Sequence, residues 1–239
     1  SKLALFFILL WFIINKNGEQ MKNKPNLNKN ISPKIHQEFD VLTQRLNASL
    51  TDSLQIELKN FLDNGLVTES LNDLFKDRYR YANEDYNFEL KFALMTLRYS
   101  FVEKFGFLLL NQNLIDITSD FLKDKTVCEI GAGTGWLSYN LQKNNVNITP
   151  IDYKPGLDSD FGFKVNHTNI TICNGITYLE SNFPDVVILS WPDYDTSFAS
   201  QILENMKPGQ TLIYIGEGYS VFTGDDKFFD LIEEKTTLN

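Results

Sequence analysis

The chain is poor in the side chains that bind metals or form disulfides: it has two cysteines and two histidines among 239 residues. Cys128 and Cys173 both lie in apolar, strand-like runs, which favours buried thiols over a disulfide or a ligand pair. His36 and His167 lie far apart, and neither has a cysteine or carboxylate at metal-ligand spacing. The sequence therefore predicts no metal centre.

Arginine is absent from the second half of the chain. From Thr126 onward there are six lysines, no arginine and fifteen Asp or Glu residues, whereas the first 125 residues hold sixteen basic and sixteen acidic side chains. Proteins that bind a phosphate backbone normally present clustered Lys and Arg. This half of the chain is therefore expected to repel nucleic acid.

The sequence also lacks an apolar run of the roughly 20 residues that a membrane-spanning helix needs. Residues 3–14 form an unbroken apolar run that resembles the core of a signal peptide, but no small-residue cleavage site follows it. Met21 then opens a polar stretch that is typical of an ordinary start. We expect residues 1–20 to be upstream sequence outside the native protein, with a membrane-contacting anchor or a signal peptide as alternatives. A chain without that run is expected in the cytoplasm.

Two kinds of hydrophobic periodicity divide the rest of the chain near Lys125. Residues 21–34 are polar and predict a flexible arm. Apolar residues then recur three to four positions apart, which predicts an α-helical N-terminal region over residues 35–112. Helices are predicted near 39–50, at 51–62 with Gly65 as a C-cap, at 88–101 and at 114–122.

From Thr126 the pattern changes to short β-branched or apolar runs, most of them separated by helical stretches. Strands are predicted at 126–130, 147–151, 170–173, 186–190 and 211–215, with helices at 136–143, 197–206 and 227–234. This alternation predicts an α/β fold over residues 113–239, with a Rossmann-like, mostly parallel sheet covered on both faces. Ligands of such sheets bind at the carboxyl ends of the strands.

The strongest functional motif is the glycine-rich turn after the first predicted strand, Glu-Ile-Gly-Ala-Gly-Thr-Gly at residues 129–135. Such a turn between a strand and a helix lets backbone N–H groups approach a ligand closely. Asp152 ends the next predicted strand, nineteen residues after the middle glycine. That separation suits a carboxylate that accepts both hydroxyls of a ribose.

These residues resemble motif I of the class I S-adenosylmethionine-dependent methyltransferases, and the likeness covers about residues 113–234. The resemblance implies a methyltransferase with S-adenosyl-L-methionine as its cofactor. It implies that Glu129 holds the methionine-side amine, that Asp152 binds the ribose, that Tyr153 lies beside the adenine and that residues 174–176 cover the adenine edge. The expected cofactor-binding residues are Glu129, Gly131, Ala132, Gly133, Gly135, Asp152, Tyr153, Asn174, Gly175, Ile176, Ser190 and Trp191.

The fourth predicted strand ends in Ser-Trp-Pro-Asp-Tyr at residues 190–194, where class I enzymes place residues that meet the substrate. The segment is similar to the Asn-Pro-Pro-Tyr motif of amino-methylating members, but Trp191 replaces the Asn and Asp193 the second Pro. The side-chain amide that would orient an acceptor nitrogen is therefore lost, and Trp191 packing under the cofactor is an alternative. Asp193, Tyr194 and Glu217 are the candidate catalytic residues, and Asp195 is a further candidate base.

The loops after the fourth and fifth predicted strands, called here the acidic mouth, combine acidic and aromatic side chains. Their acids are Asp193, Asp195, Glu217, Asp225 and Asp226, and their aromatic residues are Trp191, Tyr194 and Tyr219. Such a surface attracts cations and repels phosphates. We therefore expect a small-molecule or peptide amine as acceptor and no nucleic acid. Solvated acids without a shared site are the alternative.

Two other functions stay open. The first is a catalytically inactive S-adenosylmethionine-binding module with a regulatory or interaction role. The second is a nucleotide-dependent oxidoreductase, against which the Gly-x-Gly-x-Gly spacing counts. The chain ends five residues after Glu234, before the two strands with which class I enzymes normally complete the sheet. We therefore expect a sheet without them, as in a gene fragment.

Overall fold

The structure, a computed structural model, describes residues 52–68, 101–159, 161–218 and 223–237. Predictions for the apolar run 3–14, the arm 21–34, the helix near 39–50, most of the helix at 88–101 and Tyr219 lie outside these residues. In the described part of the chain, no helix is both long enough and apolar enough to cross a membrane.

Five parallel strands form one sheet, which confirms the predicted Rossmann-like α/β class. The strands are β1 Val127–Ile130, β2 Ile148–Asp152, β3 Thr171–Ile172, β4 Val186–Ser190 and β5 Thr211–Ile215. Their order is β3-β2-β1-β4-β5, and every neighbouring pair is parallel. The chain therefore leaves β1 towards β2 on one side and later returns to β4 on the other. Sheets of this kind bind ligands where the strand order reverses, at the carboxyl ends of the strands.

Helices cover both faces of the sheet. They are α1 Asp52–Asn64, α2 Gln112–Leu122, α3 Trp136–Lys143, α4 Gly175–Ser181, α5 Phe198–Asn205 and α6 Asp226–Thr237, and residues 101–105 are also helical. Gly65 ends α1 as predicted: its φ is +70° and its N–H donates to the Phe61 carbonyl at 2.9 Å. Among the α-helices of the described residues, α4 alone has no counterpart in the sequence prediction.

The strands contribute alternate side chains to two cores, as the period of two in a β-strand requires. Val186 and Ile188 of β4 pack in the core under α1, α2 and α3. Val187 and Leu189 pack in the opposite core, under α4, α5 and α6. Strands buried on both faces have continuous apolar sequences, which is why β4 and β5 were predicted with correct bounds.

Both cysteines are free thiols, as expected. Cys128 of β1 is fully buried, and burial raises the pKa of its thiol to about 12. Cys173 is only half-buried, because the strand β3 that precedes it is short, lies at the edge of the sheet and is exposed on both of its residues.

Candidate functional site

The glycine-rich loop joins β1 to α3 at the carboxyl end of the sheet. Gly131, Gly133 and Gly135 have φ values of +78°, +56° and +71°, a left-handed conformation that glycine adopts without steric cost. The N–H groups of Gly131 and Ala132 both donate to the Ile151 carbonyl, at 2.9 and 3.0 Å. The loop is thus fixed to the end of β2, and its three glycines are required by the backbone conformation.

Asp152 lies directly beside this loop. Its Oδ2 accepts a hydrogen bond from the Gly133 N–H at 2.8 Å, and its Oδ1 accepts one from the Lys154 N–H at 2.8 Å. A carboxylate oxygen has two lone pairs, so each oxygen can still accept a hydrogen bond from a ligand. The half-exposed carboxylate thus keeps acceptor capacity beside the glycine loop, and its contact with a ribose stays a prediction.

Glu129 is buried, with 2% of its surface exposed. Its Oε2 accepts hydrogen bonds from the Ser138 Oγ at 2.5 Å and from the Ser138 N–H at 3.2 Å. Burial raises the pKa of Glu129 to about 7, against the lowering effect of the Ser138 bonds, and the nearby Asp152 also raises it. One oxygen of Glu129 thus links β1 to α3. Its contact with a cofactor amine stays a prediction.

The segment after β3 forms the N-terminus of α4. The Asn174 Oδ1 accepts from the N–H groups of Ile176 at 2.9 Å and Thr177 at 3.4 Å, as an N-cap does. A Cβ on Gly175 would clash with the Ile130 side chain, so this glycine lets α4 pack closely on β1. The Cys173 N–H donates to the Asp152 carbonyl at 3.1 Å and so places the segment beside Asp152.

The loops that follow β4 and β5 meet, as predicted for the acidic mouth. The Trp191 N–H donates to the Ile215 carbonyl at 2.7 Å, the Gly224 N–H donates to the Pro192 carbonyl at 3.0 Å, and Asp193 forms a β-bridge with Thr223. Trp191 has a φ of +56°, a strained value for a bulky side chain that often marks a functional position.

The acids of this mouth are arranged differently from the expectation. Glu217 is fully buried, so its side chain does not line an open surface. The Asp225 carboxylate accepts from the N–H groups of Ser200 at 3.0 Å and Phe228 at 3.2 Å, and so fixes the first turns of α5 and α6. Asp193 is half-exposed, whereas Asp195 and Asp226 are exposed. Asp225 is half-exposed as well, so Glu217 is the one acid of these five that is withdrawn from solvent.

Two aromatic residues beside the glycine loop were not predicted from the sequence. A Cβ built on Gly131 would lie 3.3 Å from the Phe198 ring, and one on Gly133 would lie 3.3 Å from the Phe163 ring. Phe198 begins α5, and Phe163 belongs to the long connection between β2 and β3. The only sequence signal for Phe163 is the Phe-Gly-Phe triplet at 161–163, which has no periodicity.

Of the remaining predicted residues, Tyr153 follows β2 and is 70% exposed, and Tyr194 is 46% exposed. Ser190 ends β4 and is half-buried, as is Ile176 at the start of α4. A separate cleft of about 740 Å³ lies between α3 and residues 166–170, and it shares no residue with the glycine loop or the acidic mouth. The chain matches no protein-family model and no curated protein, so its function is inferred from its residues and its fold.

Proposed function

We propose that the protein is an S-adenosyl-L-methionine-dependent methyltransferase that acts on a small-molecule or peptide amine. The observation that carries the proposal is the pairing of the glycine loop with Asp152 at the carboxyl end of β1 and β2. The loop has three left-handed glycines beside Asp152, and each Asp152 oxygen can accept one further hydroxyl. Both features suit the ribose of an adenosyl group.

Other residues of the same edge would complete the cofactor site. The exposed ring of Tyr153 would lie along the adenine, and Asn174 and Gly175, which follow the Cys173 that bonds to Asp152, would lie at the adenine edge. Glu129 would balance the charge of the methionine amine, because an ionised carboxylate next to an ammonium is favoured in a buried site. When bound, S-adenosyl-L-methionine supplies a methyl group on a sulfonium, which is already activated for transfer.

The protein's own contribution would be mainly the position of the acceptor. Holding two reacting groups in line supplies much of the acceleration in a transfer of this kind. Trp191 and Tyr194 provide aromatic faces that favour an ammonium group. The half-exposed Asp193 could take a proton from an acceptor that must lose one.

Charge supports an amine over a nucleic acid. The described loop residues 191–197, 216–218 and 223–226 contain no basic side chain, and Asp195 and Asp226 are exposed there. A surface of this kind concentrates cations and repels the phosphates of DNA or RNA.

A catalytically inactive cofactor-binding module is the second candidate. Two observations favour it: Glu217 is fully buried, and Asp225 is engaged by backbone N–H groups of two helices. The burial of Glu217 and the helix contacts of Asp225 thus explain the positions of two of the five acids of the acidic mouth without a role in binding an acceptor.

Transfer of labelled methyl groups tests the proposal. Purified protein is incubated at low salt with methyl-labelled S-adenosyl-L-methionine and with polyamines, basic peptides or oligonucleotides. We expect label in the amines, less label with Asp193→Asn, and no change with Glu180→Gln, which removes an exposed carboxylate from α4. Label in oligonucleotides alone would contradict the acceptor class. Binding of S-adenosylhomocysteine without any transfer would favour the inactive module.

A further inference from the structure

At Gly133, the space that a Cβ would occupy is bordered by an aromatic ring of the protein itself. Phe163 is buried, with 6% of its surface exposed, and a Cβ on Gly133 would lie 3.3 Å from its ring. A glycine in such a loop serves the close approach of a ligand. Here the ring of Phe163 fills that volume.

Phe163 is held by two further rings. Phe107 and Phe163 have ring centroids 5.8 Å apart at 68°, and Phe161 and Phe163 have centroids 5.8 Å apart at 31°. Phe161 is 54% exposed, and Phe163 belongs to neither of the two described cores. The ring of Phe163 can therefore turn without opening the core on either face of the sheet.

The backbone around Phe163 is fixed more firmly than its ring. The Gly156 N–H donates to the Gly133 carbonyl and the His167 N–H to the Thr134 carbonyl, both at 2.8 Å. The Lys164 N–H donates to the Glu103 carbonyl at 2.8 Å. The connection is thus tied to the glycine loop and to residues 101–107, so that a side-chain rotation is the simplest way to uncover Gly133.

We propose that Phe163 controls access to the cofactor site, because its ring and the cofactor compete for the same side of Gly133. This inference rests on the proposed function for the identity of the ligand. Binding requires the ring to leave Phe107 and Phe161, and the affinity that is measured falls with the fraction of molecules in which the ring has left. Phe107 and Phe161 therefore set the affinity although they need not contact the ligand.

Calorimetric titration with S-adenosylhomocysteine tests the proposal in three variants. Phe163→Ala should bind at least about fivefold more tightly than the parent protein, since two ring contacts no longer have to be broken. Phe107→Ala should bind S-adenosylhomocysteine more tightly than the parent by a smaller factor, because the Phe163 ring is still present but has lost its contact with Phe107. Phe183→Ala is the control for the loss of a phenyl ring: Phe183 is 56% exposed and lies just before β4, at the amino ends of the strands, so its removal should leave the affinity unchanged.

The outcomes separate this proposal from the proposed function. Equal or weaker binding by Phe163→Ala, with normal binding by the parent, would overturn the control of access and leave the methyltransferase proposal intact. Binding by Phe163→Ala alone would support the proposal, whereas binding by neither protein would overturn both. If the alanine variant fails to fold, as judged by its urea transition, Phe163→Leu should still bind more tightly than the parent, and tighter binding by the parent would overturn the proposal.

Discussion

Glu129 should make the stability of the folded domain fall as the pH rises through the neutral range. Burial raises its pKa from the ordinary value of 4.5 to about 7. Between these values the folded protein binds more protons than the unfolded chain, so the free energy of unfolding decreases with pH and levels off above about pH 7. At about 1.36 kcal/mol per pKa unit, the full effect is about 3 kcal/mol. Most of it, about 2–3 kcal/mol, falls between pH 5 and pH 8.

Urea unfolding of the parent protein and of Glu129→Gln at pH 5, 6, 7 and 8 measures this effect. Glutamine cannot ionise but keeps an oxygen that accepts from Ser138, so the difference between the two proteins isolates the titration of Glu129. Asp185→Asn is the control. Hydrogen bonds from Thr126 lower the pKa of Asp185 below its ordinary 3.8, so its contribution is lost only at more acidic pH and stays constant over this range. If the difference in the free energy of unfolding between the parent protein and Glu129→Gln stays the same from pH 5 to pH 8, the reasoning is refuted.

Three further outcomes follow from the site. If Glu129 binds the cofactor amine, the affinity for S-adenosylhomocysteine should rise as the pH is raised to 7, because binding below pH 7 must remove the proton of Glu129. Calorimetry in two buffers with different ionisation enthalpies measures this proton release. An affinity that does not depend on pH would contradict the contact. Asn174→Ala should lower the free energy of urea unfolding by about 1 kcal/mol through loss of the N-cap, whereas Asn174→Asp should not. Gly175→Ala should cost about 1–3 kcal/mol, because its Cβ meets Ile130. Gly218→Ala, whose added Cβ lies within 4 Å of no described residue other than its chain neighbours, should cost less than about 0.5 kcal/mol, and equal costs would count against this packing.

Local sequence was sufficient for the strands and helices whose apolar pattern repeats. The bounds of β4, β5 and α3 agree with the prediction to the residue. β3 is shorter than predicted because it pairs on one side, with β2, and both of its residues are exposed. α4 has seven residues, too few for a clear periodicity. It depends on the Asn174 cap and on the contact of Gly175 with the distant Ile130, which a local pattern does not contain.

The same distinction applies to the site. The positions of the glycines and of Asp152 follow from a strand–turn–helix motif, and the structure brings them together by hydrogen bonds. The cover of Gly133 by Phe163 joins residues far apart in the chain. The burial of Glu217 depends on the irregular loop after β5, in which its N–H donates to the Thr223 Oγ1 at 2.6 Å and which has no repeating pattern. Sequence reasoning identified the loop but not what packs against it.

The central claim is that Asp152 and the glycine loop bind an adenosyl cofactor with a methionine side chain. Calorimetry with S-adenosylhomocysteine and with NAD on the parent, Asp152→Asn and Asp185→Asn tests it most directly. Asp185 also accepts two hydrogen bonds, from the N–H and Oγ1 of Thr126 at 2.7 Å each, but it lies at the amino edge of the sheet. We predict that S-adenosylhomocysteine binds more tightly than NAD, that Asp152→Asn weakens it about tenfold to a hundredfold, and that Asp185→Asn leaves it unchanged. Tighter binding of NAD, or an unchanged affinity in Asp152→Asn, would contradict the claim.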